Sequence, residues 1–317
     1  MALRSLGTTG LQIPALVFGG NVFGWTVDEK QSFSLLDALF ERGFTAIDTA
    51  DVYSAWAPGN KGGESETIIG KWLAAHPGAR DKVTLFTKVG ADLREPGKKG
   101  LSARWIAQAV EDSLRRLQTD YIDLYFSHWP DNDTPYEETL GAYEKLLEAG
   151  KIRAVGASNL TAEQLAESLK VADAKGLPRY QVLQPEYNLY DRSGFEGALQ
   201  NLTVRENIGV VTYYSLASGF LSGKYRSEKD LSQSQRGQGI AKYLNPRGFA
   251  IIDALETIAA KHNVKPAEVA LSWLINQPGV TAPIASATNV AHVESFVTAV
   301  ALNLSADELA TLTKAGD

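Results

Sequence analysis

The chain has 317 residues, 31 Lys and Arg against 37 Asp and Glu, and a net charge of −6, with 44% hydrophobic and 21% charged residues. That composition is globular, and its acidic balance argues against duplex nucleic acid, whose binding draws on clustered Lys and Arg. There is no cysteine, which removes disulfides, thiolate nucleophiles, iron–sulfur clusters and cysteine zinc sites together.

Met1–Gly10 carries no apolar signal core and no window approaches a membrane span, so a cytoplasmic, monomeric or weakly oligomeric protein is expected. Leu3–Ile13 reads as a small hairpin that could plug the floor of a barrel. A β-branched run, Leu16–Gly20, leads to helical spacing over Gln31–Arg42. The alternation then repeats: strand Thr45–Ala50, helix Ser65–Ala75, strand Val83–Val89, helix Ala103–Leu117 and strand Ile122–His128. It continues through helix Tyr136–Ala149, strand Ile152–Asn159, helix Thr161–Lys175 and strands Val182–Tyr187 and Gly209–Ser215. Thr161 with Gln164 forms a capping box, and Gly150 marks a helix stop. A long polar stretch, Leu216–Pro246, interrupts the rhythm. A loop of that length is more often functional than idle. Helices Phe249–His262 and Pro266–Gln277, strand Thr281–Ser286 and helix Asn289–Ala299 complete the chain.

Eight strands alternating with helices imply a parallel sheet. Regular spacing without a composition break favours one α/β domain over residues 1–317, a (β/α)8 TIM barrel with an N-terminal hairpin and a long loop after strand seven. An open doubly wound sheet would want G-x-G-x-x-G after its first strand, and Phe18–Gly24 does not supply it.

In such a barrel the working residues stand where strands end. Those positions hold Asp48 and Tyr53, Lys88, His128, Ser158 with Asn159, and Gln184. Each has a bland reading: Asp48 a buried cap, Tyr53 a loop aromatic, His128 a satisfied core histidine. Lys88 is the hardest to dismiss, because it lies in a run that should be buried and lysine is rarely buried unpaired. Asp48 on the adjacent strand is its natural partner.

The pattern resembles the aldo-keto reductase family along essentially the whole chain. The carriers are Gly43–Tyr53 (GFTAIDTADVY), Leu114–Leu124 (LRRLQTDYIDL), Gly150–Asn159 (GKIRAVGASN) and Ser215–Tyr225 (SLASGFLSGKY). His128–Asp131 (HWPD) is similar to the bacterial, fungal and potassium-channel β-subunit branches. The resemblance implies a carbonyl- or alcohol-transforming oxidoreductase that uses a nicotinamide cofactor, with a tetrad of Asp48, Tyr53, Lys88 and His128. A phenol near pKa 10 is a weak acid at neutral pH, and a neighbouring ammonium lowers that value. Tyr53 is then the general acid in reduction and the base in oxidation, tuned by Lys88, which Asp48 holds. His128 would donate to the carbonyl oxygen.

The same resemblance implies that Ser158, Asn159 and Gln184 hold the carboxamide and that Tyr214 stacks on the nicotinamide ring. Gly20 and Asn21 fall near its ribose. Ser215, Leu216, Ser218, Gly219, Lys224 and Arg236 align with the loop that closes over pyrophosphate and adenosine; Lys224 and Arg236 are otherwise solvated loop charge. Trp25, Trp56, Phe126 and Trp129 would line the substrate pocket, a set that equally fits loop packing.

One stretch departs from the family. After the last strand this branch commonly carries G-A-R-x-x-x-x-Q-x-x-x-N, whereas here Thr288 takes the arginine position, His292 the glutamine position and Phe296 the final asparagine. Thr288 lacks the charge that clamps a 2′-phosphate. Ser286 and Thr288 still offer hydrogen bonds and His292 a partly protonated ring, so NADPH is expected with weaker discrimination against NADH than is usual, and NAD use is possible.

A barrel glycosidase built on Asp48, Asp51, Asp131 and Glu186 is the rival enzyme, but it leaves Lys88 unexplained. A metal site is not expected, since the four histidines are scattered with no H-x-H or H-E-x-x-H. A cofactor-binding regulatory or redox-sensing protein on the same fold is the rival of another class. The expected partner is a small carbonyl or alcohol, with no nucleic acid and no membrane.

Overall fold

The computed structural model describes residues 2–235 and 237–317. Two short strands, β1 (Leu3–Ser5) and β2 (Gln12–Pro14), pair antiparallel as a hairpin. The barrel strands follow as β3 (Val17–Gly19), β4 (Ala46–Asp48), β5 (Thr84–Val89), β6 (Ile122–Ser127), β7 (Ile152–Ser158), β8 (Val182–Gln184), β9 (Gly209–Thr212) and β10 (Ala282–Ala285). All eight are parallel, and the ring closes where β10 pairs with β3. This is a (β/α)8 TIM barrel.

The intervening helices are α1 (Glu29–Glu41), α2 (Glu64–Ala75), α3 (Ala103–Leu117), α4 (Tyr136–Glu148), α5 (Ala162–Lys175), α6 (Ala198–Arg205), α7 (Pro246–His262) and α8 (Pro266–Ile275), with α9 (Val290–Ala301) and α10 (Ala306–Ala315) last. Their starts follow capping chemistry. Asp28 accepts from Gln31 N, Ser102 from Trp105 N, and Thr161 and Gln164 form the reciprocal box at α5. Along α3 the apolar face Ile106, Ala109, Val110, Leu114 and Leu117 is the face that is buried. Among the described residues no helix is long and apolar enough to cross a membrane.

Strand alternation sorts side chains into two cores. Val17, Ala46, Phe86, Leu124, Phe126, Ala154, Val182, Val211, Ala282 and Ile284 fill the barrel interior together with Leu6 and Ile13. The hairpin therefore plugs the barrel, and Gly7 is required there because a Cβ would stand 2.4 Å from Gly209 N. Alternate residues such as Phe18, Ile47, Leu85, Val155 and Leu183 pack outward under the helices.

Two positions on from Ala46, Phe86 and Val182, and four from Ala154, the same inward face carries Asp48, Lys88, Gln184 and Ser158. The alternation that fills the core thus aims four polar groups into the C-terminal mouth.

Two helices, α6 and α10, go beyond the sequence reading. Each is short, and α10 buries little beyond Leu312 and Glu308, so neither shows an extended apolar stripe. The run read as a strand to Ser215 leaves the ladder after Thr212, because Tyr214 adopts φ +52 and cannot continue a strand. The long stretch after β9 is built from short 3-10 turns at Ala217–Ser222, Glu228–Gln233 and Gly237–Tyr243, anchored by buried Phe220, Leu221, Tyr225, Ile240 and Tyr243.

Candidate active site

The polar layer at the mouth is one connected network. The Lys88 ammonium, fully buried, donates to Asp48 Oδ2 at 2.7 Å, to Tyr53 OH at 2.8 Å and to Thr49 O at 2.9 Å. The Tyr53 hydroxyl also reaches Asp48 Oδ2, at 3.1 Å. Gln184 Nε2 donates to the other carboxylate oxygen at 3.0 Å, and Ser158 Oγ donates to Gln184 O at 2.7 Å. Both carboxylate oxygens of Asp48 thereby have fixed donors, and Lys88 spends all three of its protons within the site.

Burial pulls the Lys88 ammonium down from its ordinary value, against the opposing pull of Asp48. Burial pushes the Tyr53 phenol well up, and the Asp48 carboxylate adds to that push. The net direction is therefore opposite to the lowering expected from the ammonium alone, because burial and Asp48 outweigh it. The carboxylate that holds Lys88 also touches Tyr53, so the phenol remains protonated at neutral pH. His128 is held well below its ordinary value by burial and by Lys88, hence neutral. Its Nδ1 is buried without a hydrogen-bond partner among the described residues, leaving Nε2 as the nitrogen available to a ligand. The His128 ring stands 6.1 Å from that of Tyr53 and lies nearly parallel to Trp129.

These groups open onto a cavity of about 810 Å³, at the upper end of the range for ligand clefts. Of the residues named from the sequence, its lining takes in Asp48, Tyr53, His128, Ser158, Asn159, Gln184, Trp56, Trp129 and Asn21 at the barrel end. It then runs along Tyr214, Ser215, Leu216, Ser218, Gly219 and Lys224 to Ser286 and His292. Lys88 lies directly behind Asp48 and Tyr53. Asn21 Oδ1 accepts from Ser286 Oγ at 2.6 Å, tying the ends of the first and last barrel strands together.

Four named residues stand elsewhere. Phe126 lies inside the barrel against Phe86 and against Gly156, whose absent Cβ would be 2.4 Å from the Phe126 ring. Although it pairs with Lys88, it is fully buried in the interior cluster and takes no part in the cavity lining. Trp25 packs edge-on against Trp56 and is not itself part of the cavity lining. Gly20 is buried in the wall, its carbonyl accepting from Ser65 Oγ. Thr288 is exposed beside His292 outside the cavity lining. Arg236 falls outside the described residues.

The wall after β9 is strained. Tyr214, Ala217 and Ser218 all hold positive φ, and so does Asn159 across the mouth. Such backbone persists only where its surroundings over-determine it, and it concentrates at ligand sites. At Tyr214 the result is an aromatic ring 51% exposed at the cavity wall, a flat apolar surface suited to a planar ring. Asn159 is fixed by three bonds, to His128 O, to Ser158 Oγ and from Tyr213 OH. Gln184 keeps its Oε1 for a ligand. A nicotinamide dinucleotide fits this donor set: an exposed ring to stack on, amide and hydroxyl groups beside it, and a loop with cations beyond.

Sequence reasoning missed Tyr213, which orients Asn159, and Lys265 with Ser295 at the far end of the cavity. Tyr213 was discoverable as the next residue along a strand end. Lys265 begins a helix that precedes the last strand, where no strand-end rule looks. The carboxylates of the glycosidase reading do not converge. Asp51 is buried with no hydrogen-bond partner for its carboxylate among the described residues, Asp131 is spent on the Leu101 and Asp133 amides and Thr134, and Glu186 sits beside Asp191 and Lys242.

Comparison with known proteins agrees with this architecture. The profile described as Aldo/keto reductase family matches residues 15–317. The chain is 33% identical to the aldo-keto reductase YhdN of Bacillus subtilis over 308 residues, covering 93% of this chain and 88% of that one. It is 32% identical to the uncharacterized oxidoreductase YrpG of the same organism, over 98% and 95% of the two chains. A probable voltage-gated potassium channel subunit beta of Arabidopsis thaliana is also 32% identical, over 95% and 91%.

Proposed function

The chain belongs to the aldo/keto reductase family of oxidoreductases, and from that premise we propose that it reduces a small aldehyde or ketone to an alcohol with NADPH. The observation that carries the reading is the Asp48–Lys88–Tyr53 cluster at the base of the cavity, with His128 beside it.

The bound nicotinamide would supply a hydride to the carbonyl carbon, or accept one in the reverse direction. Tyr53 delivers the proton that the carbonyl oxygen needs. Its phenol is kept protonated by burial and by Asp48, so it is stocked for donation. Lys88 is positioned to stabilise the phenolate left behind, at 2.8 Å. His128 is neutral, and a proton on Nε2 makes it a donor to the same carbonyl oxygen. Trp56 and Trp129, with Asp92, form the substrate side of the cavity and favour an apolar or ring-bearing carbonyl.

The test is Tyr53→Phe, assayed by cofactor oxidation over a panel of aldehydes, ketosteroids, keto-sugars and pyridoxal. Turnover should fall by about 10²–10⁴-fold while NADPH binding is retained. Wild-type turnover in the variant would remove Tyr53 as the acid. NADPH binding without turnover of any carbonyl in the wild type would support a cofactor-dependent sensor instead.

A further inference from the structure

The end of the cavity farthest from the catalytic cluster is cationic. Lys224, Lys265, His292, Ser222 and Ser295 line it, whereas the two carboxylates of the lining, Asp48 and Asp92, belong to the barrel end. Resting on the nicotinamide reading above, we propose that Lys265, steadied by Ser295, takes the 2′-phosphate of NADPH and replaces the arginine absent at Thr288.

Lys265 is the residue that caps α8. Its backbone N donates to Glu268 Oε2 at 2.8 Å, which fixes the main chain independently of the side chain. The Nζ donates to Ser295 Oγ at 3.1 Å, reaching across from α8 to α9. The nearest carboxylate oxygen, Glu268 Oε1, is 3.9 Å away, beyond hydrogen-bond length. An ammonium has three protons, so two remain for a ligand. No carboxylate joins the two lysines in the lining of this end, and Glu268, the acid paired with Lys265, lies outside the lining with its other oxygen on the main chain, so the cavity here keeps a net positive field that suits a dianion.

Thr288 cannot serve in the same way. It lies outside the cavity lining, and its hydroxyl and amide are turned to His292 Nδ1 at 3.4 and 3.2 Å. The charge of this end comes from the lysines, not from His292. Partial burial, then Lys224 and Lys265, hold that ring below its ordinary value, so any partial protonation beside a phosphate would have to be drawn by the phosphate itself. The phosphate site has therefore moved from the segment after the last barrel strand to the start of the preceding helix.

The experiment measures dissociation constants by fluorescence titration with NADPH and with NADH, and by calorimetry with 2′,5′-ADP, for wild type, Lys265→Ala, Lys265→Gln and Lys265→Arg. Ala and Gln should weaken NADPH and 2′,5′-ADP by about 10- to 100-fold and change NADH by less than about 2-fold, whereas Arg should stay near wild type. Equal losses for NADPH and NADH would assign Lys265 to the shared pyrophosphate and overturn the proposal. Unchanged NADPH binding in both neutral variants, or a wild type that binds NADH as tightly as NADPH, would also overturn it while leaving the reductase reading intact. A wild type that binds neither dinucleotide would overturn both.

Discussion

Lys88→Met removes a charge from the driest part of the site while nearly preserving the length of the side chain. Lys88 is fully buried and the Asp48 side chain is 2% exposed, so the carboxylate left behind cannot be rescued by solvent. Removing one member of a buried pair costs about 3–5 kcal/mol. Asp48 keeps the donors from Gln184 at 3.0 Å and Tyr53 at 3.1 Å, which places this case near the lower bound. At roughly 2.1 cal/mol/K per residue, unfolding 317 residues carries an entropy of about 0.67 kcal/mol/K, so about 3 kcal/mol lowers Tm by 4–5 °C. Adding Asp48→Asn removes the stranded charge and should restore at least half of that loss. Turnover should not return with it, because Tyr53 still lacks its ammonium. Melting by circular dichroism and steady-state cofactor oxidation measure the two quantities separately. A Lys88→Met melting point within about 1 °C of wild type, or a further drop in the double variant, would refute this account of the pair.

Two other predictions use the buried acids. Since burial and Asp48 hold the Tyr53 phenol up, kcat/KM for reduction should show no Tyr53 deprotonation between about pH 6 and about pH 9; a fall centred near neutrality that vanishes in Tyr53→Phe would contradict it. Asp51 is buried, both carboxylate oxygens lack partners among the described residues, and burial followed by Glu66 raises it well above the ordinary value. A group raised in the folded state contributes stability at acid pH that is lost as pH rises from its unfolded value, about 3.9, through its folded one. Asp51→Asn should therefore raise Tm at neutral pH by a few degrees and remove that part of the slope. An unchanged or lower Tm at pH 7 would contradict it.

The barrel was legible because its strands are short β-branched runs between helices with strong caps, and both signals are local. The pairing of Lys88 with Asp48 was legible for a related reason: a lysine inside a buried run demands a partner, and the adjacent strand end offered one. What failed was direction and distance. Phe126 sits near a strand end in sequence, but its ring is fully buried in the interior cluster with Phe86 and does not reach the cavity lining. The environment of Tyr53 was half read, since the ammonium was anticipated and the carboxylate oxygen at 3.1 Å was not. Lys265 had no local signal at all. It reaches the cavity only because α8 packs beside α9, a contact that spacing along the chain does not encode.

The ring closes between β3 and β10, near opposite ends of the chain, and the guanidinium of Arg4 seals the same region by donating to the Ile275 and Thr281 carbonyls. During synthesis β3 emerges first and must wait, one edge of its ladder unsatisfied, until nearly the whole chain has been made. Contacts of such large sequence separation are slow to form, and open strand edges invite pairing with other molecules. The interval between emergence of β3 and arrival of β10 is thus when a nascent copy is most exposed to its neighbours. Destabilising substitutions at this seam should reduce the soluble yield of newly made protein more than equally destabilising ones at the β5–β6 ladder.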